Sequence, residues 1–265
     1  MRTVLVTGGS SGIGAALVAR FAAAGDRVWF TYRSGRERAG RIAAELTAAG
    51  HEVAAFEFEQ GDWVSHQRLA AELPGPVDVL VNNAAVGSET VRRQVDGGEA
   101  ELAAVFLKVN SVGPLWLVDQ VLPDMLRRGH GVIVNIASVG GGVATFPGFH
   151  IADGMSKAAL AYLTRHLAAE LTHQPVRVAA VCPGAVDTEM LRASTLDKLT
   201  DQGRAELCAR LPGGRLIEPA EVAELVHWLT TPAAALMHGA VLDASMGLGV
   251  HPGLLSAREP VGSAS

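Results

Sequence analysis

Val4-Leu5-Val6-Thr7-Gly8-Gly9-Ser10-Ser11-Gly12-Ile13-Gly14 opens the chain, and its reading decides the fold. The three consecutive aliphatic residues read as a buried strand and the glycine cluster as a tight turn. Ala15-Ala16-Leu17-Val18-Ala19-Arg20-Phe21 then carries helical spacing up to Gly25, a C-terminal cap. A helix N-terminus presents unpaired N–H groups, and residues without side chains let an anion approach them. Strand, glycine turn and helix start, in that order, make a pyrophosphate site. Gly8, Gly12 and Gly14 are spaced Gly-x-x-x-Gly-x-Gly, unlike the Gly-x-Gly-x-x-Gly of other dinucleotide folds. Many glycine turns merely close a loop, but this one stands between a strand and a helix, which favours a nucleotide site.

The 265 residues suit one large α/β domain over 1–250, followed by a Gly-, Pro-, Ser- and Ala-rich tail over 251–265 that reads as loosely ordered. A hydrophobic share of 49% against 18% charge is that of a globular chain. A net charge of −5 gives no reason to expect nucleic acid or an anionic membrane as partner. Cys182 and Cys208 are too few for a disulfide framework and fit a reducing compartment. With no charged-then-apolar leader and no apolar run near ~18 residues, a soluble cytoplasmic protein without a membrane partner is the expectation.

Strand-like runs recur at Arg27–Tyr32, Glu52–Phe58, Val77–Val81, Gly131–Ser138, Val176–Val181 and Gly239–Asp243, alternating with helical patterns. Residues 87–98 are polar and read as a loop. A long helix from Glu99 contains Asn110-Ser111-Val112-Gly113-Pro114, and residues 188–215 read as a mobile lid. Proline inside a helix deprives the carbonyl four residues earlier, that of Asn110, of its donor. At the end of the second strand a dinucleotide fold meets the adenine ribose. An acid there favours NAD; here Arg33 and Arg36 stand instead, with no acid before Glu37. Paired guanidinium donors suit a 2′-phosphate, so NADP(H) is expected ahead of NAD(H), with Arg33 at the strand tip the better placed and Arg36 and Arg38 equally readable as solvated helix residues.

In this order the motifs resemble the short-chain dehydrogenase/reductase family over roughly Arg2 to Gly249. Thr7-Gly8 through Gly14 is similar to its Thr-Gly-x-x-x-Gly-x-Gly opening. Asn82-Asn83-Ala84-Ala85 is similar to its Asn-Asn-Ala-Gly, and Pro183-Gly184-Ala185-Val186-Asp187-Thr188 to its Pro-Gly-x-Val-x-Thr loop. The resemblance implies a Rossmann-like, doubly wound parallel sheet of about seven strands with helices on both faces, in a homodimer or homotetramer built through the long helices. For oligomer contacts Leu115, Trp116, Leu117 and Leu163 are apolar residues that one core does not need. It further implies that Gly8, Ser10, Ser11, Gly12, Ile13, Gly14, Arg33, Asn83, Ala84, Lys157, Pro183, Gly184, Val186 and Thr188 line the coenzyme, with Glu59 or Asp62 near the adenine. A water held by the Asn110 backbone would complete a proton relay.

The family's chemistry rests on an Asn, Ser, Tyr, Lys set, its tyrosine four residues before the lysine. Ser138 and Lys157 are present, but Asp153 stands in the tyrosine position; Tyr32 and Tyr162 lie elsewhere, and the Ser-to-Lys gap is longer than usual by about two residues. An aspartate has a reference pKa of ~3.9 against ~10 for tyrosine, and a nearby lysine favours its anion further. Burial that keeps Asp153 protonated, His150 as the acid, or a redox-neutral step with an anionic base would each answer the substitution. Asp153 also reads as a helix cap or an ion pair with Lys157, and His150 as structural. No metal-ligand spacing occurs, and no metal is expected. The functional expectation is an NADP(H)-dependent oxidoreductase acting on a small-molecule carbonyl or alcohol, with Ser138, Lys157, Asp153, Asn110 and His150 as catalytic candidates. The alternatives are a redox-neutral isomerase, dehydratase or cyclase using Asp153 or His150, and a non-catalytic NADP(H)-binding protein.

Overall fold

A computed structural model describes residues 1–146 and 149–251; the tail read as loosely ordered lies, from residue 252 onward, outside the described residues. Seven strands form one parallel sheet among them: β1 (Thr3–Val6), β2 (Arg27–Tyr32), β3 (Val53–Glu57), β4 (Val79–Asn82), β5 (Gly131–Ile136), β6 (Val176–Pro183) and β7 (Val241–Ala244), in the order β3-β2-β1-β4-β5-β6-β7. Between them run α1 (Gly12–Ala23), α2 (Arg36–Ala48), α3 (Trp63–Glu72), α4 (Ser88–Gln94), α5 (Glu99–Leu107) and α6 (Gly113–Arg128). The single turn α7 (Val139–Gly142), α8 (Ile151–Glu170), α9 (Glu189–Ser194), α10 (Asp201–Arg210) and α11 (Pro219–Leu229) complete the set.

The strands read as unbroken apolar runs because both faces are covered. Val4 and Val6 join Phe21, Phe30, Val134, Val181 and Val226 beneath α1 and α11. Leu5 points the other way, into a core with Leu80, Ile133, Leu117, Val121, Met125 and Leu167 under α6 and α8. The strand order reverses between β1 and β4, which opens a crevice at the carboxyl ends of the strands. Asn82 and Asn135 brace that end from within: Asn82 Nδ2 donates to Asn135 Oδ1 (2.9 Å), and Asn135 Nδ2 to Thr164 Oγ1 of α8 (2.9 Å).

Several expectations need correction. Residues 87–98 are not all loop: Ser88–Gln94 forms α4, seated by Val91, fully buried in a small cluster with Val86, Leu102 and Phe106. The segment 188–215, expected as a lid, is built of α9, a turn at Leu196–Lys198, α10 and a turn at Pro212–Gly214, which leaves that expectation standing. Leu117 is not spare for an oligomer contact but core, and Leu163 packs against the same core, whereas Leu115 is 38% exposed. The helical run Glu99–Arg128 is long and apolar enough to cross a membrane by length and composition, although α6 lays Leu117, Val118, Val121 and Met125 into the core beneath the sheet.

That run also changes register. Lys108–Val112 winds as a π-turn, with Gly113 N–H reaching the Lys108 carbonyl. Five-residue spacing moves the donor missing at Pro114 from the Asn110 carbonyl, as expected above, to that of Val109. Gln60 answers it: its Nε2 donates to Val109 O (2.8 Å) and to Ala84 O (2.8 Å). The carboxamide is buried and ties the π-turn to the tip of β4.

Candidate active site

The glycine turn is shaped by backbone alone. Gly8 (φ +67°) and Gly12 (φ +50°) adopt left-handed conformations, and a Cβ on Gly14 would collide with the Gly8 carbonyl. Ser11 stands at the N-cap of α1 without a side-chain bond, so the first-turn N–H groups of α1 are left for a ligand. Asn83 steadies the turn instead of reaching out of it. Its Nδ2 donates to Thr7 O (2.9 Å) and Gly8 O (3.2 Å), while Thr7 Oγ1 accepts from the N–H groups of Asn83 and Ala84. Ser10 is buried and Ile13 packs on the core beneath. This cradle fits a pyrophosphate.

At the carboxyl end of β2 three arginines each meet a carboxylate from a different segment. Arg33 lies 3.8 Å from Glu59, Arg36 pairs with Glu57 on β3, and Arg38 Nη1 donates to Glu189 Oε1 (2.6 Å) at the start of α9. Arg38 is therefore not a merely solvated helix residue, and its Nε is buried without a hydrogen-bond partner among the described residues. Of the two acids expected near an adenine, Asp62 is occupied as the N-cap of α3, accepting from Val64 and Ser65. Pro183 ends β6, Gly184 packs tightly against Ser245, and Val186 is buried beside Ile217. Thr188 caps α9 through its Oγ1, and its methyl lies 3.1 Å from where a Gly12 Cβ would stand.

The opposite wall carries side-chain chemistry. Ser138, just beyond β5, accepts from Gly140 N–H at Oγ (3.2 Å), which leaves its own O–H to donate elsewhere. Lys157 on α8 donates from Nζ to the Ile136 carbonyl (3.3 Å) rather than to Asp153 one turn away. Burial pushes the Asp153 carboxyl above the ordinary carboxylate range, with Lys157 and His150 pulling it back. Burial likewise holds the Lys157 ammonium below the lysine range, with Asp153 opposing. Both shifts run against charge on the two groups, while each group's charge favours the other's.

His150 is the N-cap of α8. Its Nδ1 accepts from Ala152 N–H (3.3 Å), its Nε2 faces Glu99 (3.1 Å), and the ring stacks on Phe106 at 5.1 Å. Both ring nitrogens are thus engaged away from Ser138. Asn110 is fully buried, with Oδ1 accepting from Val86 N–H (2.8 Å) and Nδ2 donating to Val86 O (3.1 Å) and Ser156 Oγ (3.2 Å). Its side chain is scaffold, and the carbonyl that Pro114 leaves without its donor is that of Val109, which Gln60 meets.

Further residues shape this cleft. Cys182 packs behind Gly142, where a Cβ would sit 2.6 Å from its Sγ, and burial raises its thiol to about 11, so it stays protonated and inert. Phe146 and Phe149, 5.5 Å apart, lie against Gly140. Met246, at φ +59°, reaches Gly213. No cluster of His, Cys, Asp or Glu able to hold a metal occurs among the described residues. Two surface hollows of about 370 and 460 Å³ lie at the opposite, amino ends of the strands, the first lined by Leu73, Val77, Leu117 and Arg128, the second by Arg27, Trp29 and His51; neither reaches this chemistry.

Residues 2–199 match the family model of the short chain dehydrogenases. The acetoacetyl-CoA reductase of Rhizobium meliloti is 35% identical over 265 residues, spanning 93% of this chain and 98% of that enzyme. Among solved structures, a variant actinorhodin polyketide ketoreductase with NADPH superposes with a TM-score of 0.82 at 34% identity, covering 94% of this chain and 97% of that one. The RhlG/NADP complex of Pseudomonas aeruginosa gives 0.81 at 30% identity, covering 94% and 96%.

Proposed function

Since the chain belongs to the short chain dehydrogenase family, we propose that it is an NADP(H)-dependent oxidoreductase of small-molecule carbonyls or alcohols in which Asp153 does the proton transfer. The observation that carries this reading is the half-buried Asp153 one helical turn from the half-buried Lys157, with desolvation raising the carboxyl above its ordinary range. A carboxyl kept protonated can donate; an ordinary exposed aspartate cannot.

NADP(H) supplies the hydride in reduction and receives it in oxidation. The glycine turn with the N-terminus of α1 would hold its pyrophosphate, Arg33 its 2′-phosphate, Lys157 its nicotinamide ribose, and the Pro183–Thr188 loop its carboxamide. Ser138 Oγ, already accepting from Gly140, donates its hydrogen to the substrate oxygen and polarises the carbonyl. As negative charge grows there, the Asp153 carboxyl passes its proton to that oxygen and becomes carboxylate, which Lys157 then stabilises. In oxidation the same carboxylate accepts the alcohol proton.

Reduction of a panel of ketones and aldehydes, followed by NADPH absorbance, tests this. Turnover with NADPH that collapses in Asp153→Asn and survives in His150→Gln agrees with it; the reverse pattern transfers the role to His150. The reading includes a homodimer or homotetramer, supported by Leu115 on α6 and by Ile151, Met155 and Tyr162 exposed along α8. It places the enzyme in the cytoplasm, where the unpaired Cys182 and Cys208 stay reduced.

A further inference from the structure

Three ion pairs line the corner where α2 begins, but they differ in reach. Glu57 and Glu59 come from β3 and the turn after it, on the strand that pairs with β2 just ahead of their arginines. Glu189 comes from the far side of the cleft, 151 residues along the chain from Arg38, and closes on it at 2.6 Å. Its neighbour Thr188 lies over the glycine turn at Gly12, so the 188–189 segment bridges the strip between that turn and the start of α2. A coenzyme with its pyrophosphate on the turn and its adenine ribose at the end of β2 must occupy this strip.

The Arg38 guanidinium is only partly used. Nη1 holds Glu189, while Nε is buried with no hydrogen-bond partner among the described residues. A dianionic phosphate, with more charge and three acceptor oxygens in a compact group, can replace the single carboxylate oxygen on Nη1. A ribose 2′-hydroxyl, being neutral, offers nothing that displaces a carboxylate from arginine.

We propose that Glu189 is a selectivity residue for the coenzyme. Its carboxylate takes the place on Arg38 of the 2′-phosphate that Arg33 also meets, and the phosphate displaces it and releases the start of α9. Glu189 acts through Arg38 and does not itself touch the reacting atoms. NADP(H) can release the latch; NAD(H) leaves it closed and must bind beneath it. The inference rests on the NADP(H) reading above. It adds that binding of the phosphorylated coenzyme is coupled to the first turn of α9.

The test is a fluorescence titration of the full-length protein with NADPH and with NADH, in wild type, Glu189→Gln, Arg38→Ala and the double variant. Both partners of the pair are partly exposed, so the expected gain is modest: Glu189→Gln binds NADPH about two- to fivefold more tightly at low salt and NADH unchanged. In the Arg38→Ala background the same substitution gives no gain. Hydrogen exchange over residues 189–194 supplies a second readout. NADPH raises it in wild type, NADH does not, and in Glu189→Gln it is raised without coenzyme. A wild type that prefers NADPH while Glu189→Gln leaves its Kd unchanged overturns the latch alone. Equal tightening toward both coenzymes also overturns it, since that is general charge removal. A wild type that binds NADH as well as NADPH overturns the coenzyme reading and the latch together.

Discussion

Around the glycine turn the working groups are backbone atoms: the N–H groups at the start of α1, held open by Gly8, Gly12 and Gly14 and braced by Asn83 and Thr7. On the α8 wall they are side chains, Asp153 and Lys157, whose protonation is set by what surrounds them. The first site is specified by the absence of side chains, which a sequence displays directly. The second depends on burial, which it does not. An aspartate next to a lysine reads as an ion pair, yet here the lysine turns to the Ile136 carbonyl and burial works against both charges.

The comparison breaks most sharply at Asp153. Asp153→Asn keeps the shape and removes the proton, so kcat for reduction should fall by about 10²- to 10⁴-fold with little change in NADPH affinity. A loss under about threefold, measured with saturating NADPH and substrate, would remove the side-chain half of the account. Gly14→Ala attacks the backbone half. The added methyl meets the Gly8 carbonyl, and the expected destabilisation of about 1–3 kcal/mol should lower Tm by roughly 3–10 °C in thermal unfolding. NADPH affinity should fall with it.

Arg33→Ala sharpens the line between coenzymes. Losing a charge-assisted phosphate contact should weaken NADPH about tenfold and leave NADH within twofold, read by titration. His150→Ala is the smallest of the series. Losing the cap on Ala152 should cost about 1 kcal/mol, a Tm drop of roughly 2–4 °C, with kcat within about threefold of wild type.

The parts of the molecule that were legible follow the same division. Strands buried on both faces announce themselves as aliphatic runs, and the turn at Gly25 ends α1 as its position implies. The short α4 was not legible because one side chain, Val91, anchors it, and a single apolar residue has no periodicity. Pro114 signalled an unpaired carbonyl correctly, but only the π-turn decides that it belongs to Val109, and Gln60 carries no local mark of its role there. Glu189 and Arg38 are likewise joined by the fold across 151 residues, beyond the reach of any motif. His150 was singled out for its ring, whereas the structure uses that ring as a helix cap.

The proton-handling role of Asp153 is tested most directly by the pH dependence of kcat in both directions, in wild type and Asp153→Asn. The carboxyl is raised above its ordinary value, so reduction, which needs the protonated form, should fall as pH rises through that raised pKa. Oxidation, which needs the carboxylate, should fall as pH drops through the same value. Both limbs should be missing from the residual activity of Asp153→Asn. Mirror-image limbs in wild type that vanish together in the variant are the predicted result; the same limbs persisting in Asp153→Asn would contradict it.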